Sequence, residues 1–198
     1  AKARARRVAV LAQASRPPAM TVEALVACGR YPYQAHQGKL SREDREHVER
    51  ALELAGIARF RTQELRRLSG GERQRAFIAM TLAQDTDLIV LDEPTTYLDI
   101  RACHETMELI RRLNEEAGKT IVMVSHDLSV IGSAVKSVAC VNRTLHHHAG
   151  PQLTEEMFRA MYGHEAHACP VELLTHGRIP HRVLGLQHVV QLHLGHGA

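Results

Sequence analysis

Two short apolar runs, "DLIVLDEP" at 87–94 and "TIVMVS" at 120–125, constrain this chain more than any other feature. Each is continuous rather than alternating and ends on polar or charged residues. Such a run predicts a strand buried on both faces. Between them, "DIRACHETMELIRRLNEEAG" puts Ile100, Cys103, Met107, Ile110 and Leu113 on one helical stripe that closes at Gly118. Strand, helix and strand in that order predict an α/β fold with a mostly parallel sheet layered with helices.

Upstream, "RRVAVLAQ" reads as a strand delivering Gln13 at its tip, and Thr21 as the cap of a helix over "VEALVACGR". "YPYQAHQGKL" is a loop. Ser41 and Asp44 form a box-like cap for a helix carrying Val48, Leu52 and Ala55. Downstream, "SVACVN" is expected to be a last strand. "DLSVIGSAV" and "LTEEMFRAMYG" read as short helices, and residues beyond Gly185 as a frayed end.

The 198 residues allow one domain with a real core, and a net charge of +3 compels no nucleic-acid partner. The basic opening "AKARARR" reads as a solvated surface segment rather than a nucleic-acid arm. The cysteines Cys28, Cys103, Cys140 and Cys169 include no CxxC pair, which fits a reducing compartment. No apolar run approaches the roughly 18–20 residues of a membrane span, and the start lacks the apolar core of a signal peptide. The expectation is a soluble, cytoplasmic chain.

The stretch "EAGKT" at 116–120 imitates the end of a phosphate-binding loop. A true loop needs a glycine five positions before Gly118, where Leu113 stands. Its polarity is also reversed, since Gly118 ends a helix and Thr120 starts a strand. Gly118 is expected to be a C-cap, with Lys119 favouring the negative helix end. Neither Lys2, Lys39 nor Lys136 follows the required glycines, so the chain holds no Walker A loop.

Other segments carry a stronger signal. In "LSGGERQR" at 68–75, Ser69 and Glu72 have capping-box spacing, and Gly70 and Gly71 open a helix start to an anion. Asp92 and Glu93 follow four apolar residues, at the carboxyl end of a strand where parallel sheets bind ligands. With "TTYLD" at 95–99 and "SHD" at 125–127, these segments resemble, in order and spacing, the ATP-binding-cassette (ABC) transporter ATPases over about residues 8 to 142. The resemblance implies a P-loop NTPase fold lacking its N-terminal Walker A part. It also implies a helical subdomain near 20–80, a catalytic-core part near 85–145 and a His-rich extension over 146–198.

The resemblance also assigns roles. Gln13 is the Q-loop glutamine that senses Mg²⁺ and the γ-phosphate. Leu68, Ser69, Gly70, Gly71 and Glu72 form the signature motif, which faces ATP held by a partner subunit. Asp92 supports the Mg²⁺ shell, and Glu93 polarises the attacking water. Leu98 and Asp99 belong to the D-loop at the dimer interface, and His126 contacts the γ-phosphate. ATP and Mg²⁺ are the implied cofactors. The implied partners are a homodimer mate or second ABC ATPase subunit, a membrane permease and, indirectly, a periplasmic or extracellular binding protein, with no nucleic acid. The implied place is the cytoplasmic face of the plasma membrane. Without Walker A, the chain alone is expected to bind ATP poorly and hydrolyse almost none.

Two stretches bear on cargo. "TVEALVACGRYPYQ" with "IAMTLAQDTDLIVLDEPTTYLDI" resembles the ATPases of iron–siderophore importers. "TIVMVSHDLSVIGSAVKSVACVNRTLHHHAGP" and "CPVELLTHGRIPHRVLG" resemble those of zinc and manganese importers. Ten of the 14 histidines lie from His146 onward. A regulatory metal site using His146, His147 and His148 with His164, His167 or Cys169 is one reading, and an exposed, solvated tail the other. Two alternatives stay open: a soluble, non-transport ABC ATPase and a non-enzymatic, His-rich metal-binding remnant.

Overall fold

The computed structural model describes residues 2–13, 17–34, 39–125, 135–142, 144–148 and 189–193. A short helix α1 (Lys2–Ala5) leads into strand β1 (Val8–Leu11). Helices α2 (Val22–Cys28), α3 (Arg42–Leu54) and α4 (Gly70–Ala83) follow. Then come β2 (Leu88–Asp92), α5 (Ile100–Glu115) and β3 (Thr120–Ser125). Strands β4 (Ser137–Asn142), β5 (Thr144–His148) and β6 (Val189–His193) complete one sheet in the order β1-β2-β3-β6-β4-β5.

The helix starts follow their caps. Thr21 accepts from the Ala24 N–H, and Ser41 and Asp44 close a full capping box on α3. The helical part is stitched by backbone: Val22 N–H donates to the Gln63 carbonyl at 3.0 Å and Leu65 N–H to that of Met20 at 3.1 Å. Inside it lies a buried ion pair, Arg30 Nε to Asp44 Oδ1 at 2.8 Å, with Arg30 Nη1 also donating to the Ala83 carbonyl at 2.9 Å. One arginine thus ties α2, α3 and the end of α4 together.

Strands β1, β2 and β3 are parallel, with Leu11 opposite Leu91 and Leu91 opposite Met123. Ala9, Leu11, Ile89, Leu91, Ile121 and Met123 are buried in one core with α4 and α5. The opposite face is less covered. Val90, Val122 and Val124 are half-buried and Val10 is 57% exposed, so burial on both faces does not hold for these strands. On α5, Met107, Ile110 and Leu113 are buried, but Ile100 is 92% exposed and leaves the expected stripe. The helix has only begun there, and its first turn projects past the core.

Two expectations about the chain's later part are corrected. "SVACVN" is not the last strand, because β5 pairs with it antiparallel and holds the His146–His148 run in a strand rather than a tail. The end read as frayed contains β6, which lies antiparallel between β3 and β4. Its β-branched Val189 and Val190 suit a central strand, and two flanking edges offer it backbone partners on both sides. Of the short helices expected after Ser125, the one over 153–163 lies outside the described residues, as does the one over 127–135 except for Val135.

Candidate functional site

The carboxyl rim of the parallel strands gathers three of the predicted positions. β1 ends at Leu11, two residues before Gln13, which is exposed. β2 ends on Asp92, and β3 on Ser125. In-register parallel pairing therefore puts Gln13, Asp92 and Glu93 at one edge of the sheet. His126 follows Ser125 but itself lies outside the described residues.

Glu93 is held by more than its place in the chain. Its backbone is left-handed, φ 51, an uncommon conformation for a residue with a side chain. Its N–H donates to the Val124 carbonyl at 2.9 Å, carrying the ladder to β3 one step past the strand. Its Oε2 accepts from the Thr96 hydroxyl at 2.7 Å. Asp92 and Glu93 are both half-buried, and no ion pair to Asp92 occurs among the described residues. A partly desolvated carboxylate suits a bound cation. Mg²⁺ held together with phosphate oxygens needs only one or two protein carboxylates, so these residues fit it.

The glycine-opened helix is built as expected. Ser69 caps α4, with its N–H and hydroxyl donating to Glu72 Oε2 at 2.9 and 2.8 Å and its Oγ accepting from the Glu72 N–H at 3.3 Å. These bonds from the Ser69 backbone and hydroxyl hold the Glu72 carboxyl below its ordinary range. Burial opposes them more weakly, and the charges of Arg59 and Arg75 add smaller contributions that lower it further. The two glycines differ. A methyl group on Gly71 would sit 2.7 Å from Ala102 Cβ, whereas one on Gly70 would meet Leu98 Cδ2 at 3.5 Å and the Tyr97 carbonyl at 3.9 Å. Gly71 therefore also answers to helix packing within this chain, a demand that Gly70 does not share.

That packing joins the 68–72 segment to the loop that precedes α5. Asp99 caps α5, accepting from the Ala102 N–H at 2.8 Å, and Leu98 N–H donates to the Thr95 carbonyl at 3.2 Å. Arg75 of α4 donates to Glu105 of α5 at 2.7 Å, and Arg101 reaches the same carboxylate at 2.9 Å. Around these contacts lies an open cavity of about 480 Å³ bordered by Arg59, Ser69, Glu72, Arg75, Asp99 and Arg101. Leu68 is buried, while Ser69 and Asp99 are exposed. Beside Asp99, Tyr97 is 95% exposed with φ 64.

Sequence reasoning missed Thr96 and the Arg75–Glu105 pair. A hydroxyl three residues after Glu93 was a readable signal. The pair, 30 positions apart, was not. At the end of α5, the Lys119 ammonium also lies 3.5 Å from Asp85. Gly118 does turn that end, with φ 63 and the Lys119 N–H on the Leu113 carbonyl at 3.0 Å. Among the described residues no group of three or more His, Cys, Asp or Glu is placed to hold a metal ion. His147 is exposed, and His164, His167 and Cys169 lie outside the described residues.

A parallel sheet with an acidic pair at its rim, and a capped, glycine-opened helix locked to the loop behind that pair, define an ABC-type ATPase domain. Residues 1–96 match the ABC transporter family. It is 51% identical over 127 residues to the petrobactin import ATP-binding protein FpuD of Bacillus anthracis, covering 64% of this chain and 46% of that one. It is 48% identical over 126 residues to the iron(3+)-hydroxamate import ATP-binding protein FhuC of Bacillus subtilis, covering 63% and 47%. Among solved structures it resembles an inward-facing, putative metal-chelate type ABC transporter, with a TM-score of 0.72 and 25% identity over 78% of this chain and 63% of that one. The chain spans about half the length of these two curated relatives.

Proposed function

We propose that this chain works in the ATP-hydrolysing subunit of an importer for iron chelates, coupling phosphoryl transfer to movement through a membrane permease. The observation that carries the reading is Glu93, held at the sheet rim by the Thr96 hydroxyl at 2.7 Å beside a half-buried Asp92. In this reading Asp92 supports Mg²⁺, and Glu93 accepts a proton from the attacking water. His126 steadies the γ-phosphate, and Gln13 reports its presence to the permease. Bound Mg²⁺ would neutralise charge developing on the phosphate oxygens. The Ser69–Glu72 helix end would face ATP held by a second ATPase subunit, with Leu98 and Asp99 at the shared interface. Iron chelates are preferred over zinc or manganese because the relatives at 51% and 48% identity bear iron-chelate import names. A place at the cytoplasmic membrane face follows from the permease. Among the described residues no helix is long and apolar enough to cross a membrane.

A chimera tests the proposal: this chain replaces the matching segment of FhuC, and iron–hydroxamate uptake and ATP turnover are measured. Uptake and turnover are expected, with Glu93→Gln lowering turnover by about 10²–10⁴-fold, as for loss of a general base. A folded chimera whose turnover survives Glu93→Gln would overturn the role of Glu93. The purified chain alone is expected to hydrolyse almost nothing, and turnover sensitive to Glu93→Gln in that sample would contradict this.

A further inference from the structure

The first seven residues carry Lys2, Arg4, Arg6 and Arg7, and the first acidic residue in the chain is Glu23. All four cations are exposed, and among the described residues none has a carboxylate partner. Elsewhere many arginines are neutralised locally, as Arg61 is by Glu23 and Glu49, and Arg111 by Glu108 and Glu115.

This basic segment is fixed to the fold rather than loose. Lys2 Nζ lies 5.2 Å from the centre of the Tyr31 ring and donates to the Gln34 carbonyl at 3.0 Å. Arg6 lies over Tyr33 at 5.1 Å and donates twice to the Pro32 carbonyl at 3.1 Å. Arg30, itself locked to Asp44, covers Tyr33 at 4.0 Å. The Gln84 amide donates to the carbonyls of Ala5 and Val8, tying the segment to the end of α4. The product is a basic segment of four cations without carboxylate partners among the described residues, with Lys2 against Tyr31, which is 66% exposed.

We infer that Lys2, Arg4, Arg6, Arg7 and Tyr31 form a docking surface for an anionic lipid bilayer. Clustered cations beside a polar-tipped aromatic ring match the headgroup region, where phosphates attract the charges and the ring lies at the interface. An RNA would satisfy the same cations. The bilayer is favoured because a transporter ATPase works within reach of one, and only in that choice does the inference rest on the proposed function.

The test is co-sedimentation of the purified chain with phosphatidylcholine vesicles, with and without phosphatidylglycerol. Binding is expected only with the anionic lipid and should weaken as salt is raised. Each near-surface cation is worth about fivefold, so Arg4→Ala with Arg7→Ala should weaken binding about 25-fold. Arg45→Ala with Arg50→Ala makes the same charge change on exposed α3 positions and should leave binding intact. The chain has no Trp, so Tyr31→Trp supplies a single emission probe, expected to shift blue on anionic vesicles only. Equal loss in both arginine pairs, no blue shift, or tighter binding to a single-stranded RNA than to vesicles would overturn the inference. None of these outcomes bears on the chimera's turnover.

Discussion

Gly70 and Gly71 at the head of α4 obey different forces. Gly71 is buried against α5, where an added methyl would overlap Ala102 at 2.7 Å, while the neighbouring position has ordinary van der Waals room. Gly71→Ala should therefore cost about 1–3 kcal/mol in denaturant unfolding through overpacking, and Gly70→Ala much less. A sequence shows both glycines and cannot say which is squeezed, because the squeezing atom belongs to Ala102. The Ser69–Glu72 box was legible, since its partners are three positions apart. The Thr96 bond to Glu93 was within reach by the same logic, because the two residues are close in the chain.

Among the elements, β1, α3, α4, β2, α5 and β3 follow from apolar pattern and caps. β6 does not, because a five-residue run acquires meaning only when two strands offer it their edges. Lying between β3 and β4, it joins the parallel strands to the β4–β5 hairpin. Val190→Pro places a residue without an N–H in the middle of a sheet, which breaks the ladder. Hydrogen exchange should quicken over 121–125 and 137–140 while α2, α3 and α4 keep their protection. Unchanged exchange in β3 and β4 would show that β6 contributes little to holding them.

Across the whole molecule, the helical part depends on a charge buried where three helices meet. Burial alone would raise the Asp44 pKa. Hydrogen bonds from Arg30 and Ser41, with the Arg30 charge, outweigh it and hold the carboxyl below its ordinary value of 3.8. A carboxylate whose folded pKa is depressed stabilises the fold above its unfolded pKa, and that stability is lost as pH falls through the folded value. Asp44→Asn should cost about 3–5 kcal/mol near neutral pH by leaving the Arg30 charge buried and unpaired. Wild-type and variant unfolding curves should draw together only as the pH is taken below about 3.8. A constant gap down to the lowest pH would show that Asp44 stabilises by packing and not by charge.

What the sequence determined by itself is local and periodic. It set the strand–helix alternation, the capping boxes and the acidic pair closing a strand. It also showed the reversed polarity that disqualifies Lys119 as a phosphate ligand. These features depend on neighbours within a few positions, where chain geometry dictates who meets whom. The tertiary structure alone decided that Gly71 yields to Ala102, that Arg75 finds Glu105, that Ile100 stays exposed, and that Val189–His193 enters the sheet. Each of these depends on atoms brought together by the packing of separate elements, and no spacing along the chain encodes that distance.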